Sequence, residues 1–422
     1  MKLTGTAFCC KVPEHWRENT TNDLLDAGSP FPVKGVSPRL TVQESTVSEH
    51  PEALAVISQE RLRSLASSPE TVVVQVEAVV RHGVERRRLW SLSPVTSEEQ
   101  PEHIVTALTI RDLVIADGIL AEAALTMALD HWKPGDSHHK VLDSLQLLPP
   151  GDRATPTATV TPTTPILDQW VTKRDGAPRE DLSVVTPAQL IFPNGALTLS
   201  SLSARVFLNN LQSQGDHVPS GEVLEELVAA GLVDDDGHPA ATGRLCAEHV
   251  LNGTAWRLSA TPGSAELRFW LTERTTLLML PHPDQQDASQ LGFCSSDDLL
   301  RLLLCWVETT PSWPLDVELR MNRWQLRSRI RRHRTSTSRR FDDKAEFIGQ
   351  PWTAWSLTDR WAQPQLTWLQ TPTRGNAVTH VDPSLRNPLR LTTIRQDPEH
   401  PLWVHLRSAL RDYTAPTDPL RR

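Results

Sequence analysis

Between Pro149 and Asp181 the chain carries a Thr/Pro tract, Pro149-Pro150-Gly151 followed by Thr155, Pro156, Pro162 and Pro165. Proline fixes φ and removes a backbone donor, so a run like this lacks the periodic pattern of a helix or a ladder strand. With 422 residues, the chain is too long for one ordinary core. The tract is therefore read as an extended tether over 149–182, between one unit at 1–148 and another at 183–412, with a tail at 413–422.

The first unit reads as β-rich. Arg39–Ser45 alternates as a strand, Ser48 is expected to cap a helix reaching Ala66, and strands follow at Thr71–Val80, Glu85–Ser93, Ile104–Ile115 and Ile119–Met127. Ala116-Asp117-Gly118 is a tight hairpin signal. A helix over Asp136–Ser144 closes the unit, which implies an antiparallel sheet with helices on one face.

In the second unit helices are expected at Ser200–Leu211, Ser220–Ala230, Ala241–Leu251 and Asp297–Glu308, the last capped by Ser295 or Ser296. Strands are expected at Trp256–Ser259, Glu266–Leu280, Leu315–Leu319, Gln365–Leu369, Ala377–His380 and Leu389–Ile394, with a final helix Pro401–Arg411. The class is α+β, with a mixed α/β second unit, and no repeat of 20 to 50 residues is visible.

Several function classes fall away. Forty-three basic against 51 acidic side chains give a net charge of −8, so general attraction to nucleic acid or anionic lipid is not expected. No apolar run is long enough to cross a bilayer, and the N-terminal apolar stretch before Lys11 is too short for a signal peptide. Five cysteines, an odd number without CxxC spacing, suggest neither a disulfide framework nor a zinc site, which points to a reduced, cytoplasmic protein. Phosphate-loop, dinucleotide, zinc-protease and nucleophile-elbow motifs are missing, so no catalytic residue, metal or cofactor is expected.

Four constellations remain. Asp130, His131, Asp136, His138 and His139 resemble a metal cluster, but adjacent His138 and His139 point to opposite sides of an element, and a solvated loop is the simpler account. Elemental analysis of the purified protein would decide whether an enzyme is assembled there. Ser220–Leu251 admits a winged-helix reading, opposed by Glu222, Glu225, Glu226 and Asp234-Asp235-Asp236. Arg320–Arg340 holds nine arginines and no acid around Trp324. It reads as an exposed helix with a Thr335–Ser338 loop, able to meet phosphates or, more simply, an acidic protein. The tryptophans number fourteen against one tyrosine, and ten of them lie after position 250. Trp352, Trp355, Trp361 and Trp368 are either core or an aromatic surface for a partner's apolar helix.

Two family resemblances follow from these strings. Val12-Pro13-Glu14-His15-Trp16, Pro38–Val42 before a helix, and Asp117-Gly118 before the last strand resemble, in that order, the PsbP and Mog-type α/β sandwich superfamily, including LpqN-like proteins. Leu227–Gly237, Glu266–Met279 and Leu366–Gly375 with the terminal helix resemble the EspG family of mycobacterial-type ESX (type VII) secretion. The Arg-rich insertion and the preceding unit depart from that pattern. This second resemblance implies a non-enzymatic cytosolic chaperone that binds helical secretion substrates of the PE/PPE or WXG-like kind, with a component of the secretion machinery as a further partner. Trp352, Trp355, Trp361, Arg323, Arg327 and Arg331 are the expected partner-binding residues. The rival is a DNA-binding regulator using the winged-helix-like segment and the arginine run.

Overall fold

The computed structural model describes residues 1–19, 24–97, 100, 102–133, 138–192, 195–213, 219–263, 265–315, 317–332, 343–380, 391–396 and 401–414. The chain is mixed α+β, with several antiparallel sheets. The first large sheet runs Arg17–Glu18, Leu24–Gly28, Arg39–Val47, Ile119–Ala128, Ile104–Ala116, Val84–Thr96, Val72–Arg81, antiparallel throughout, and Thr159–Val160 adds in parallel to Arg39–Val47. Its central hairpin turns where expected, with both Asp117 and Gly118 at positive φ (50 and 74°).

Alternation along the strands gives this sheet two apolar faces. Leu89 and Leu113 meet Ile57 and Leu62 of the helix Ala53–Ala66, while Trp90, Ile110 and Val114 point the other way. A bulge between Val73 and Gln75 lets Val73 and Val76 share the helix side. The expected Ser48 cap is not formed: Ser48 follows the strand and donates its backbone N–H to Val160, and the helix begins after Glu52. The second face is covered by a small sheet of Lys2–Thr4, Phe8–Lys11 and Gln146–Leu147 and by the helix His138–Asp143. There Arg86 donates to the carbonyls of Leu142 (3.0 Å) and Leu145 (2.5 Å), and Arg88 holds Asp112 (2.7 and 2.8 Å) and Asp143 (2.8 Å).

Residues 149–182 form a packed strap instead of an extended tether. Val171 and Leu182 are buried in one cluster with Ile57 and Leu62 of the helix and Leu89 and Leu113 of the sheet, because a few apolar side chains inside the Thr/Pro tract suffice to pin it there. Asp168 caps the helix Gln169–Asp175 through the backbone N–H groups of Trp170 (3.0 Å) and Val171 (3.2 Å). Buried Glu180 accepts from Arg87 Nε at 3.0 Å, and its carbonyl accepts from Trp313 Nε1 at 2.8 Å.

The second large sheet has ten strands, all antiparallel, in the order Ala196–Ser200, Ala288–Ser295, Thr275–Pro281, Glu266–Leu271, Thr254–Thr261, Thr353–Asp359, Pro364–Thr371, Gly375–His380, Leu391–Gln396, Val317–Asn322. The run expected as one strand over Glu266–Leu280 is a hairpin, turned at Thr272–Arg274. This sheet contains a duplication. Ala196–Ser200, three helices, four strands and the helix Leu299–Trp306 are matched by Val317–Asn322, two helices, four strands and the helix Leu402–Thr414. Read inward from either edge, the strands stand in the same rank order, and Thr254–Thr261 pairs antiparallel with Thr353–Asp359 at the centre. The repeat unit is far longer than the 20 to 50 residue window searched in the sequence.

The helices Ser201–Gln212, Glu222–Ala229 and Ala241–Asn252 cover one end of the outer face around Phe207, Leu227 and Trp270. The expected Ser220 cap is replaced by Gly221 at φ 60°, which offers no side chain. Gly243 is obligatory in this bundle, since a Cβ there would stand 1.9 Å from the Leu232 carbonyl oxygen. The helices Arg323–Arg332 and Asp343–Gly349 cover the other end, packing Ile330 and Phe347 with Leu319 and Trp352.

The two halves share one core. Trp90 and Trp132 of the first meet Trp403 of the second at 6.1 and 4.8 Å between ring centroids, and the buried residues continue through Leu302, Leu303 and Leu406. Arg301 and Asp298, both fully buried, pair at 2.5 Å, and Asp298 accepts from Thr106 Oγ1 of the first half at 2.9 Å.

Candidate binding surface

Strand register fixes which loops share an edge. Trp256 stands opposite Asp359, Thr254 opposite Leu271, and Asn322 opposite Leu391. The turn Thr272–Arg274, the tip Arg360–Gln363 and the start of the helix Arg323–Arg332 therefore lie along one end of the second sheet.

At that tip, buried Asp359 accepts from the backbone N–H groups of Trp361 and Gln363, each at 2.9 Å, and from Gln365 Nε2 at 2.9 Å. Ala362 completes the turn at φ 57°. The turn is thus held from beneath while Trp361 stays 60 % exposed, with the Arg360 guanidinium 3.9 Å from its ring centroid.

The neighbouring helix has two faces. Ile330 is buried and Leu326 half-buried at i, i+4, whereas Trp324, Arg327 and Arg331 lie outward at i, i+3, i+7. Trp324 is 70 % exposed and was not among the six expected site residues, although the helical period carried the signal. Arg329 turns inward, donates to Ile348 O and sits 4.4 Å from the Trp352 ring; burial lowers its pKa.

Of the six expected residues, Trp361, Arg327 and Arg331 are displayed. Trp352 and Trp355 are core, a correction: Trp352 is 1 % exposed and donates to Phe347 O at 2.9 Å, and Trp355 is 8 % exposed between Trp306 and Trp368. Alternation explains Trp355, which shares the inward face of its strand with Leu357, while Trp352, just before that strand, packs with Phe347 and Leu319 in a separate cluster. The Arg323 side chain and the Thr335–Ser338 loop lie outside the described residues.

A cleft of about 960 Å³ opens beside this edge at the junction of the halves, and no local pattern in the sequence marked it. Lys34, Leu129 and Asp130 line it from the first half; Leu245, His249, Thr275, Asp297, Arg407 and Arg411 line it from the second. Lys34 pairs with both Asp130 and Asp297, Arg411 with Asp130, and His103 Nε2 lies 2.9 Å from Asp297. Burial works against the Lys34 charge, but the two carboxylates outweigh it and hold its pKa above the usual lysine range. His249 is fixed by Leu245 O (2.9 Å, at Nδ1) and Thr275 Oγ1 (2.7 Å, at Nε2).

Asp130 is thus an ion-pair partner at the junction, while Asp136 and the side chains of His138 and His139 lie outside the described residues. Asp234, Asp236 and His238 bring ligand atoms within 4.8 Å of one another on an exposed turn, where Asp234 accepts from the backbone N–H groups of Asp236 (3.1 Å) and His238 (2.8 Å). All five thiols are buried, and burial pushes Cys10, Cys246 and Cys305 up to about 12. Among the described residues, no helix is long and apolar enough to cross a membrane.

No family model matches the chain, and no curated protein is similar to it. Among solved structures, the Ran-binding protein Mog1p of Saccharomyces cerevisiae is 11 % identical, with 36 % of this chain and 97 % of that one covered at a TM-score of 0.27. Cyanobacterial PsbP (CyanoP) of Synechocystis sp. PCC 6803 is 14 % identical, covering 35 % and 92 %, at 0.26. LpqN of Mycobacterium tuberculosis is 11 % identical, covering 35 % and 90 %, at 0.24. The likeness is to an α/β unit of the PsbP/Mog kind.

Proposed function

We propose that this chain is a non-enzymatic, cytoplasmic binding factor of a type VII (ESX-like) secretion system, holding the apolar end of a helical substrate of the PE/PPE or WXG-like kind. The observation that carries the binding reading is the Trp361 tip. An exposed indole on a turn pinned by Asp359 loses little conformational entropy on association, which is the character of an interface hot spot. Exposed Arg360 beside Trp361, together with exposed Arg327 and Arg331 on the helix that starts at that sheet end, favours an acidic partner and steers its approach. The secretion assignment is supported by the EspG-like strings in residues 227–237, 266–279 and 366–375.

The test is affinity capture from native cells with the wild-type chain and Trp361→Ala, washed at rising salt. Small helical secretion substrates retained by the wild type and lost by the variant support the proposal. Recovery of DNA that is shed steeply as salt rises would replace it with a nucleic-acid regulator.

A further inference from the structure

The inner end of the junction cleft holds an incompletely matched guanidinium. Arg407 is 7 % exposed, and its Nη1 donates to Trp132 O at 2.7 Å. Among the described residues, Nε and Nη2 make no hydrogen bond, and Asp130 Oδ1 stands 3.8 Å from Nη2. Asp130 is already engaged by Lys34 and Arg411. Among the described residues, Lys34 and Arg411 thus hold Asp130, and Lys34 and His103 hold Asp297, while Glu248, Glu273 and Arg274 are exposed on the cleft lining. Desolvation and then Arg411 press the Arg407 pKa down to about 10. A buried guanidinium normally takes a carboxylate on two parallel N–H groups, and two of its donors are unused here.

The walls supply the other half of a ligand's chemistry. Leu245, 43 % exposed, lines the cleft together with Leu129, Leu271, Leu299, Leu300 and Leu410, which are buried and back its wall. About 960 Å³ lies at the upper end of the usual range for small-molecule pockets. We propose that this cleft binds an apolar molecule ending in one carboxylate, seated on Arg407 and Arg411, with its chain along the leucines. Arg411 is 44 % exposed in its side chain and gives way to admit the head group. The shared chemistry belongs to a free long-chain carboxylic acid and to the C-terminal carboxylate of an apolar peptide.

Calorimetric titration of the full chain with decanoate, decanol, acetate and an acetylated apolar hexapeptide, as free acid and as amide, tests the proposal. Decanoate or the free-acid peptide should bind at least about tenfold more tightly than its uncharged counterpart, and acetate should not bind measurably. The tighter of the two acids identifies the source. Arg407→Gln should weaken the preferred acid about tenfold or more, Arg407→Lys less, and Arg411→Gln several-fold. Arg411→Gln alone is informative should Arg407 variants not fold, because Arg411 lies at the surface. Equal binding of decanoate and decanol together with both peptide forms, no binding of any acid, or an unchanged affinity in Arg411→Gln overturns the assignment. Trp361→Ala leaves this binding unchanged, so the outcome is separate from that of the partner capture.

Discussion

Replacing Asp298 by Asn keeps its shape and removes its charge at the seam between the two sheets. In the native molecule Arg301 is fully buried, bidentate to Asp298 at 2.7 and 2.5 Å, and donates to the Glu70 carbonyl at 3.0 Å. After the change its cation lies in the core with neutral hydrogen-bond partners and the Glu70 carboxylate as its remaining acidic neighbour among the described residues. Removing one member of such a pair costs about 3–5 kcal/mol. At roughly 2.1 cal/mol/K per residue, the unfolding entropy of the 422-residue chain is about 0.9 kcal/mol/K, so the melting temperature should fall by about 3–6 °C. Scanning calorimetry of wild type and variant measures this directly. Because Thr106 and Glu70 belong to the first half and Asp298 and Arg301 to the second, both proteins should melt in one transition. A shift under about 1 °C would mean that the pair is solvated like a surface bridge, and two separated wild-type transitions would refute the shared core.

Trp352→Ala should cost about 3–5 kcal/mol in denaturant unfolding, whereas Trp361→Ala should stay within about 0.5 kcal/mol, since the first indole is 1 % and the second 60 % exposed. The native protein should show less than one reactive thiol per chain to a thiol reagent and five after denaturation, given that all five cysteines are buried. Acid should loosen the junction. Burial raises the pKa of Asp130, but hydrogen bonds and charge from Lys34 and Arg411 outweigh it, and the pKa of Asp143 is lowered in the same way by Arg88 and Arg81. With folded pKa values below the unfolded ones, both contribute stability that is complete above the ordinary carboxylate value of about 4 and is lost as pH falls through the folded values. Melting temperatures should therefore drop between about pH 4 and pH 2, and a flat profile there would contradict the pairing.

The sequence by itself determined what neighbours in the chain decide. The Asp117-Gly118 turn, the long strands beside it and the apolar stripe of Ala53–Ala66 follow from conformational preference and periodicity within a few residues. The exposed face Trp324, Arg327, Arg331 was likewise written in a helical period. Tertiary structure alone decided the rest. Proline content suggested a tether at 149–182, yet Val171 and Leu182 joined the cluster of Ile57, Leu62 and Leu89 far earlier in the sequence, and its apolar surface outweighed local stiffness. The same long-range burial turned Trp352 and Trp355 into core and left Trp361 outside, a sorting that composition cannot make because it depends on which strand face meets the core. The duplication, the seam of Trp90, Trp132 and Trp403, and the cleft with Arg407 join residues far apart in the chain. Charge and apolar area act through space, so their pairing is fixed only once the two sheets pack.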